Sequence, residues 1–79
     1  MGRTRRRRPR LLRRKLLTIR EKLGMSQTQM ANALGLKVHY SAVSNYELGT
    51  REPDLLTLLK YAELAGISTD VLIDDKRRL

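Results

Sequence analysis

Between residues 10 and 75, apolar side chains recur three or four positions apart, and the recurrence is broken at Gly24, Gly35, Gly49 and Gly66. Such a pattern predicts short amphipathic helices closed by glycine. Leu12, Leu16, Ile19 and Leu23 form the stripe of a first helix, with Pro9 suited to its opening turn. Ser26 and Gln29 have capping-box spacing, and Met25 and Met30 flank them as a hydrophobic staple, so a second helix starts there. It carries Met30, Ala31 and Leu34 inward and stops at Gly35. Residues 36–40 lack a helical period and predict a turn. Residues 41–48 regain one, with Val43, Tyr46 and Glu47 on one side and Ser41, Ser44, Asn45 and Leu48 on the other. Asp54 suits the N-cap of a fourth helix whose inner stripe is Leu55, Leu58, Leu59, Ala62 and Ala65. Ser68 can cap a fifth, running to about residue 74, with Asp70 near its positive end and Val71 and Leu72 turned inward. No segment has the alternation of a strand. The prediction is an all-α domain of five helices over residues 10–75, with a polar, frayed tail at 76–79.

Length and composition narrow the function. A chain of 79 residues makes one small domain and has no room for a deep cleft between domains. It has no cysteine and one histidine, His39, so neither a disulfide framework nor a thiolate or histidine metal site is expected. No cofactor and no small-molecule ligand is implied. Asp74 and Asp75 point different ways on a helix, no nucleophile and base are matched, and no glycine loop cradles a phosphate, so an enzyme is not expected. With no apolar run of membrane-spanning length, a cytoplasmic protein is the expectation.

Charge is distributed unevenly. Residues 1–20 hold ten bases and no acid, whereas residues 21–79 hold seven bases and eight acids, a net charge of −1. The overall charge of +9 is thus a property of the N-terminus. A block of like charge repels itself and buries nothing, so residues 1–9 are expected to form a flexible, disordered arginine-rich arm that seeks a polyanion. Nucleic acid is the favoured polyanion; an anionic lipid surface or a merely solubilising tail is the plainer alternative. Arg5, Arg6, Arg7, Arg8 and Arg10 are the candidates to contact phosphates or to enter a minor groove, where narrow A·T tracts attract arginine.

The second helix, turn and third helix have the layout of a helix-turn-helix unit, in which the second member must be apolar behind and small or hydrogen-bonding in front. Residues 41–48 meet that requirement. Asn45 can bond adenine bidentately, and Ser41 and Ser44 can bond bases or phosphates without filling the groove.

The residues in context carry a more specific likeness. Gln27, Met30, Ala31, Leu34, Gly35 and Leu36, then Ala42-Val43-Ser44-Asn45-Tyr46-Glu47, Gly49, Arg51 and Pro53, resemble the Cro/repressor-type (Xre) helix-turn-helix family of bacterial and phage regulators. The likeness spans about residues 16–73. It implies a lambda-repressor-like five-helix fold and double-stranded DNA as partner, bound by a homodimer whose half-sites lie roughly 34–36 Å apart. It also implies that Gln27 and Thr28 meet a phosphate at the start of the second helix, and that the loop with Thr50 and Arg51 follows the sugar-phosphate backbone. Arg20 and Glu47 match a structural ion pair. Anchored at Val43, the family register makes Tyr40, Ser41, Ser44 and Asn45 base-facing. One departure stands out: Gly35 and Val43 are eight residues apart where the family has six, so the turn is two residues longer. The third helix can then begin at Tyr40 or at Ser41, and Lys37 or His39 can reach a phosphate from the enlarged turn.

These features together predict a sequence-specific transcriptional regulator, a repressor by preference. A DNA-binding antitoxin belongs to the same class. From a different class, an RNA-binding or ribosome-associated adaptor would use the arm to read RNA and the helices to dock on protein.

Overall fold

The computed structural model describes residues 9–35 and 37–79. The arm residues Arg5, Arg6, Arg7 and Arg8 lie outside the described residues, as does Leu36. Among the described residues five helices follow one another: α1 (Leu12–Lys22), α2 (Gln27–Leu34), α3 (Tyr40–Leu48), α4 (Leu55–Ala65) and α5 (Thr69–Ile73). No strand occurs among the described residues.

The core gathers Leu12, Leu16 and Ile19 of α1, Met30, Ala31 and Leu34 of α2, Ala42, Val43 and Tyr46 of α3, Leu58, Tyr61 and Ala62 of α4, and Leu72 of α5. Helices of five to eleven residues are marginal alone, and this shared apolar interior holds them. At α2 both hydrogen bonds of the capping box are present, Gln29 N to Ser26 Oγ at 3.0 Å and Ser26 N to Gln29 Oε1 at 2.8 Å. Met25 packs half-buried against the core that contains Met30. Asp54 caps α4 by accepting from Thr57 N at 2.9 Å.

Several sequence expectations are corrected. Leu55 and Leu59 are 80% and 46% exposed, and the buried face of α4 is instead Thr57, Leu58, Tyr61 and Ala62. Leu23 follows α1 at the surface. Ser68 occupies the N-cap position of α5, yet its side chain makes no capping bond. Pro9 does not open α1, which begins at Leu12 without a capping side chain from its own N-cap residue, Leu11.

The missing cap is supplied from the far end of the chain. The Asp75 carboxylate accepts from the backbone N–H of Arg10 at 2.9 and 3.0 Å and of Leu11 at 3.0 Å. Nearby, the buried Lys15 ammonium donates to the carbonyls of Val71, Asp74 and Arg77 at 2.7–2.9 Å. Carbonyls at the end of α5 have no partner within the helix, and a cation is the natural donor there. Residues beyond α5 are therefore held against α1, where the sequence predicted fraying.

Tyr61 is fully buried, and its hydroxyl has no hydrogen-bond partner among the described residues. Burial, reinforced by the Glu47 carboxylate, pushes this phenol upward from its ordinary pKa.

Candidate nucleic-acid interface

The most extensive contact between helices joins α2 to α3. Ala31 is buried, and its single methyl leaves room for close approach of the two helices. Gly35 ends α2 with φ +62°, the left-handed conformation that glycine adopts without penalty.

The lengthened turn then supplies its own ending. Lys37 has φ +59°, a left-handed conformation uncommon outside glycine, and its side chain is exposed. His39 is the N-cap of α3: its Nδ1 accepts from Ser41 N at 3.2 Å and lies 2.9 Å from Ser41 Oγ. Its ring rests on that of Tyr40, with centroids 4.4 Å apart. The extra length is absorbed before Tyr40, and α3 starts there rather than at Ser41. Histidine lies outside the usual N-cap residues, so the sequence carried little signal of this role.

Along α3, Ala42, Val43 and Tyr46 face the core, while Tyr40 is 52% exposed and Ser41 is also exposed. Ser44 and Asn45 are half-buried beside them. Asn45 is tied to the loop that follows, since Thr50 Oγ1 donates to Asn45 Oδ1 at 3.1 Å and Thr50 N donates to the Asn45 carbonyl at 3.1 Å. An amide oxygen has two lone pairs and the amide nitrogen two hydrogens, so this contact leaves Asn45 both an acceptor and donors.

Behind this face Arg20 and Glu47 form a forked pair, Nε to Oε2 at 2.6 Å and Nη2 to Oε1 at 3.0 Å. Arg20 Nη1 also donates to the Met25 carbonyl at 2.9 Å, so one guanidinium ties α1 to α3 and to the loop entering α2. The Glu47 hydrogen bond raises the Arg20 pKa from its ordinary value, which keeps the guanidinium charged. Gln27 joins the pair, with Nε2 donating to Glu47 Oε1 at 3.1 Å. Gln27 is thus half-buried and oriented by Glu47, whereas Thr28 beside it is exposed.

Arg51 and Thr50 are exposed in the loop after α3, and Arg10 is exposed at the start of the described chain. Sequence reasoning passed over Arg13. Its stem lies across Gly49, where an added Cβ would stand 2.7 Å from Arg13 Cδ. No group of His, Asp or Glu side chains suited to a metal occurs among the described residues, and none of their helices is long and apolar enough to cross a membrane.

Two helices joined by a turn, the second polar in front and apolar behind, define a helix-turn-helix protein. The helix-turn-helix family model matches residues 16–72, and the chain belongs to that family. Over 59 residues, 75% of this chain, it is 41% identical to the SPbeta prophage-derived HTH-type transcriptional regulator YonR of Bacillus subtilis (strain 168), covering 53% of that protein. It is 39% identical over 59 residues to the HTH-type transcriptional regulator ImmR of the same organism, covering 45% of it. The chain thus spans about half the length of these curated relatives. Among solved structures, the P22 c2 repressor in complex with a synthetic operator superposes with a TM-score of 0.75 at 25% identity, covering 85% of this chain and 98% of that one.

Proposed function

We propose that the protein is a sequence-specific, DNA-binding transcriptional regulator of the repressor type, acting without cofactor or catalysis in the cytoplasm. The observation that carries this reading is the outer face of α3. Tyr40, Ser41, Ser44 and Asn45 form a compact polar surface on a helix whose position is fixed from behind by Val43, Tyr46 and the Arg20–Glu47 pair. Small hydrogen-bonding side chains in front of an apolar back are what major-groove entry requires. The family membership and the likeness to an operator-bound repressor support the same reading.

In this reading Asn45 recognises adenine, Ser41 and Ser44 bond bases or phosphates, and Tyr40 packs at the edge of the site. Gln27, Thr28, Lys37, Thr50 and Arg51 hold the flanking phosphates, and Arg5, Arg6, Arg7, Arg8 and Arg10 follow the backbone or the minor groove. The protein binds as a homodimer, since one such module touches too few base pairs for specificity.

Selection from a random duplex DNA pool tests the proposal. The expected product is an inverted repeat with half-sites roughly one helical turn apart. Asn45→Ala should then relax the preference at one position per half-site, a change of about 1–3 kcal/mol. Binding without enrichment, weakened simply by salt, would remove the base-reading role of α3 and favour the arm-driven adaptor.

A further inference from the structure

The start of α1 and the α3–α4 loop enclose an open groove of about 460 Å³. Arg10, Arg13 and Arg51 line it together with Tyr46 and Gly49. All three arginines are exposed, and none has an ion-pair partner among the described residues. Arg10 donates its backbone N–H to Asp75, but its guanidinium and that of Arg51 act on Asp75 and Asp54 only through space. One carboxylate, Glu52, also lines the groove, and it is engaged in an interaction of its own.

Three features give the groove a direction. It touches Leu48 and Gly49 at the C-terminal end of α3, so it continues the face proposed to meet DNA. Pro9 and Arg10 stand in its wall, so the chain from the arginine arm enters the domain at this groove. Gly49 has φ +79° and no side chain, which lets the Arg13 stem lie flat across the end of α3.

Resting on the DNA reading above, we infer that Arg10, Arg13 and Arg51 form a built site for one backbone phosphate of the duplex, joining the arm to the helix-turn-helix face. Guanidinium groups suit this ligand, because they offer several N–H donors in a fixed fork and stay charged at any physiological pH. Arg13, absent from the predicted contacts, is the residue that makes the site more than an extension of the loop. Arg14 neighbours it on α1 and is also exposed, but does not line the groove.

That neighbour gives the control. The full chain is titrated with a random-sequence DNA duplex at several salt concentrations, as wild type, Arg13→Gln, Arg13→Lys, Arg14→Gln and Arg51→Gln. Each variant is first confirmed to be helical by circular dichroism. The contact with this one phosphate is worth about 0.9 in the slope of log affinity against log salt, and losing one of the three arginines that share it should make the slope shallower by part of that amount. That loss is expected for Arg13→Gln and for Arg51→Gln, with Arg13→Lys restoring most of it and Arg14→Gln leaving the slope near wild type. A merely structural Arg13 would alter stability and not the slope. Equal slopes for Arg13→Gln and Arg14→Gln overturn the site while leaving DNA binding intact. If Arg13→Gln does not fold, an unchanged slope for Arg51→Gln overturns it instead. Absence of duplex binding by the wild type overturns the DNA reading, and the site with it.

Discussion

Arg20 Nε and Glu47 Oε2 stand 2.6 Å apart, linking α1 to the last turn of α3, and their side chains are only 17% and 7% exposed. Gln27 donates to the same carboxylate from the first turn of α2, so one anion organises three helices. Removing the anion alone leaves a guanidinium in a largely dry site. Glu47→Ala is expected to cost roughly 3–5 kcal/mol, much of a small domain's stability. The double variant Arg20→Met/Glu47→Leu should cost clearly less, because no charge remains to be desolvated. Urea denaturation of both variants checks the order; equal losses would show that packing, and not charge, dominates the position.

Lys15 is the second internal cation, and its role differs, since it pairs with carbonyls and not with an acid. Lys15→Met keeps most of the stem and deletes the donor to three carbonyls. A loss of about 3 kcal/mol is expected, from a hydrogen-bonded charge exchanged for unsatisfied acceptors. Amide exchange should rise selectively around residues 71–77. Uniform exchange across the domain would contradict the picture of a local clasp.

Two carboxylates make stability depend on acid. The Asp75 pKa is lowered by the N–H groups of Arg10 and Leu11, and the Asp54 pKa by the backbone and side chain of Thr57. A group with a depressed folded-state pKa contributes stability above its unfolded value, near 3.8, and loses that contribution as pH falls through the folded value. The melting temperature should therefore decline below about pH 4 and keep falling until both groups are protonated. Asp75→Asn and Asp54→Asn should each flatten part of that decline. A decline unchanged in both variants would assign acid sensitivity to other groups.

The hydroxyl of Tyr61 is buried without a hydrogen-bond partner among the described residues, an arrangement that costs about 1–3 kcal/mol. Tyr61→Phe removes the unsatisfied group and keeps the ring that meets Tyr46 edge-on at 6.4 Å. Thermal melting is expected to show equal or greater stability. A clear loss would mean that the hydroxyl has a partner in solution.

Legibility in the sequence followed the strength of local rules. The capping box at Ser26 and Gln29, the inner residues of α2 and the glycine ends of α2, α3 and α4 all express spacing that backbone geometry enforces. On α4 that logic failed. Leu55, Leu56, Leu58, Leu59, Ala62 and Ala65 surround much of the helix, so hydropathy left its rotation undetermined. Tertiary packing chose the phase that buries Thr57 and Tyr61, neither of them a strong apolar signal. The clasps made by Lys15 and Asp75 were invisible for another reason. Each bonds backbone groups about sixty residues away, and the backbone carries no side-chain identity to read. At the candidate interface, the likeness to the family brought forward Arg20, Glu47 and the face of α3. Arg13 and the capping role of His39 depend on local geometry that spacing does not encode.

Gly49 and Gly66 allow the Arg13 contact to be isolated. Both close helices at positive φ, +79° and +69°, but an added Cβ meets Arg13 Cδ at 2.7 Å in the first case and nothing within 4 Å in the second. Gly66→Ala should thus cost only the left-handed conformation, about 1–2 kcal/mol. Gly49→Ala should cost that and, in addition, the displacement of Arg13 from the end of α3. Introducing each alanine into an Arg13→Ala background separates the two contributions. The extra cost at Gly49 should disappear there, while the cost at Gly66 stays the same. If the Gly49 penalty persists without Arg13, backbone strain alone accounts for it, and the arginine does not rest on this turn in solution.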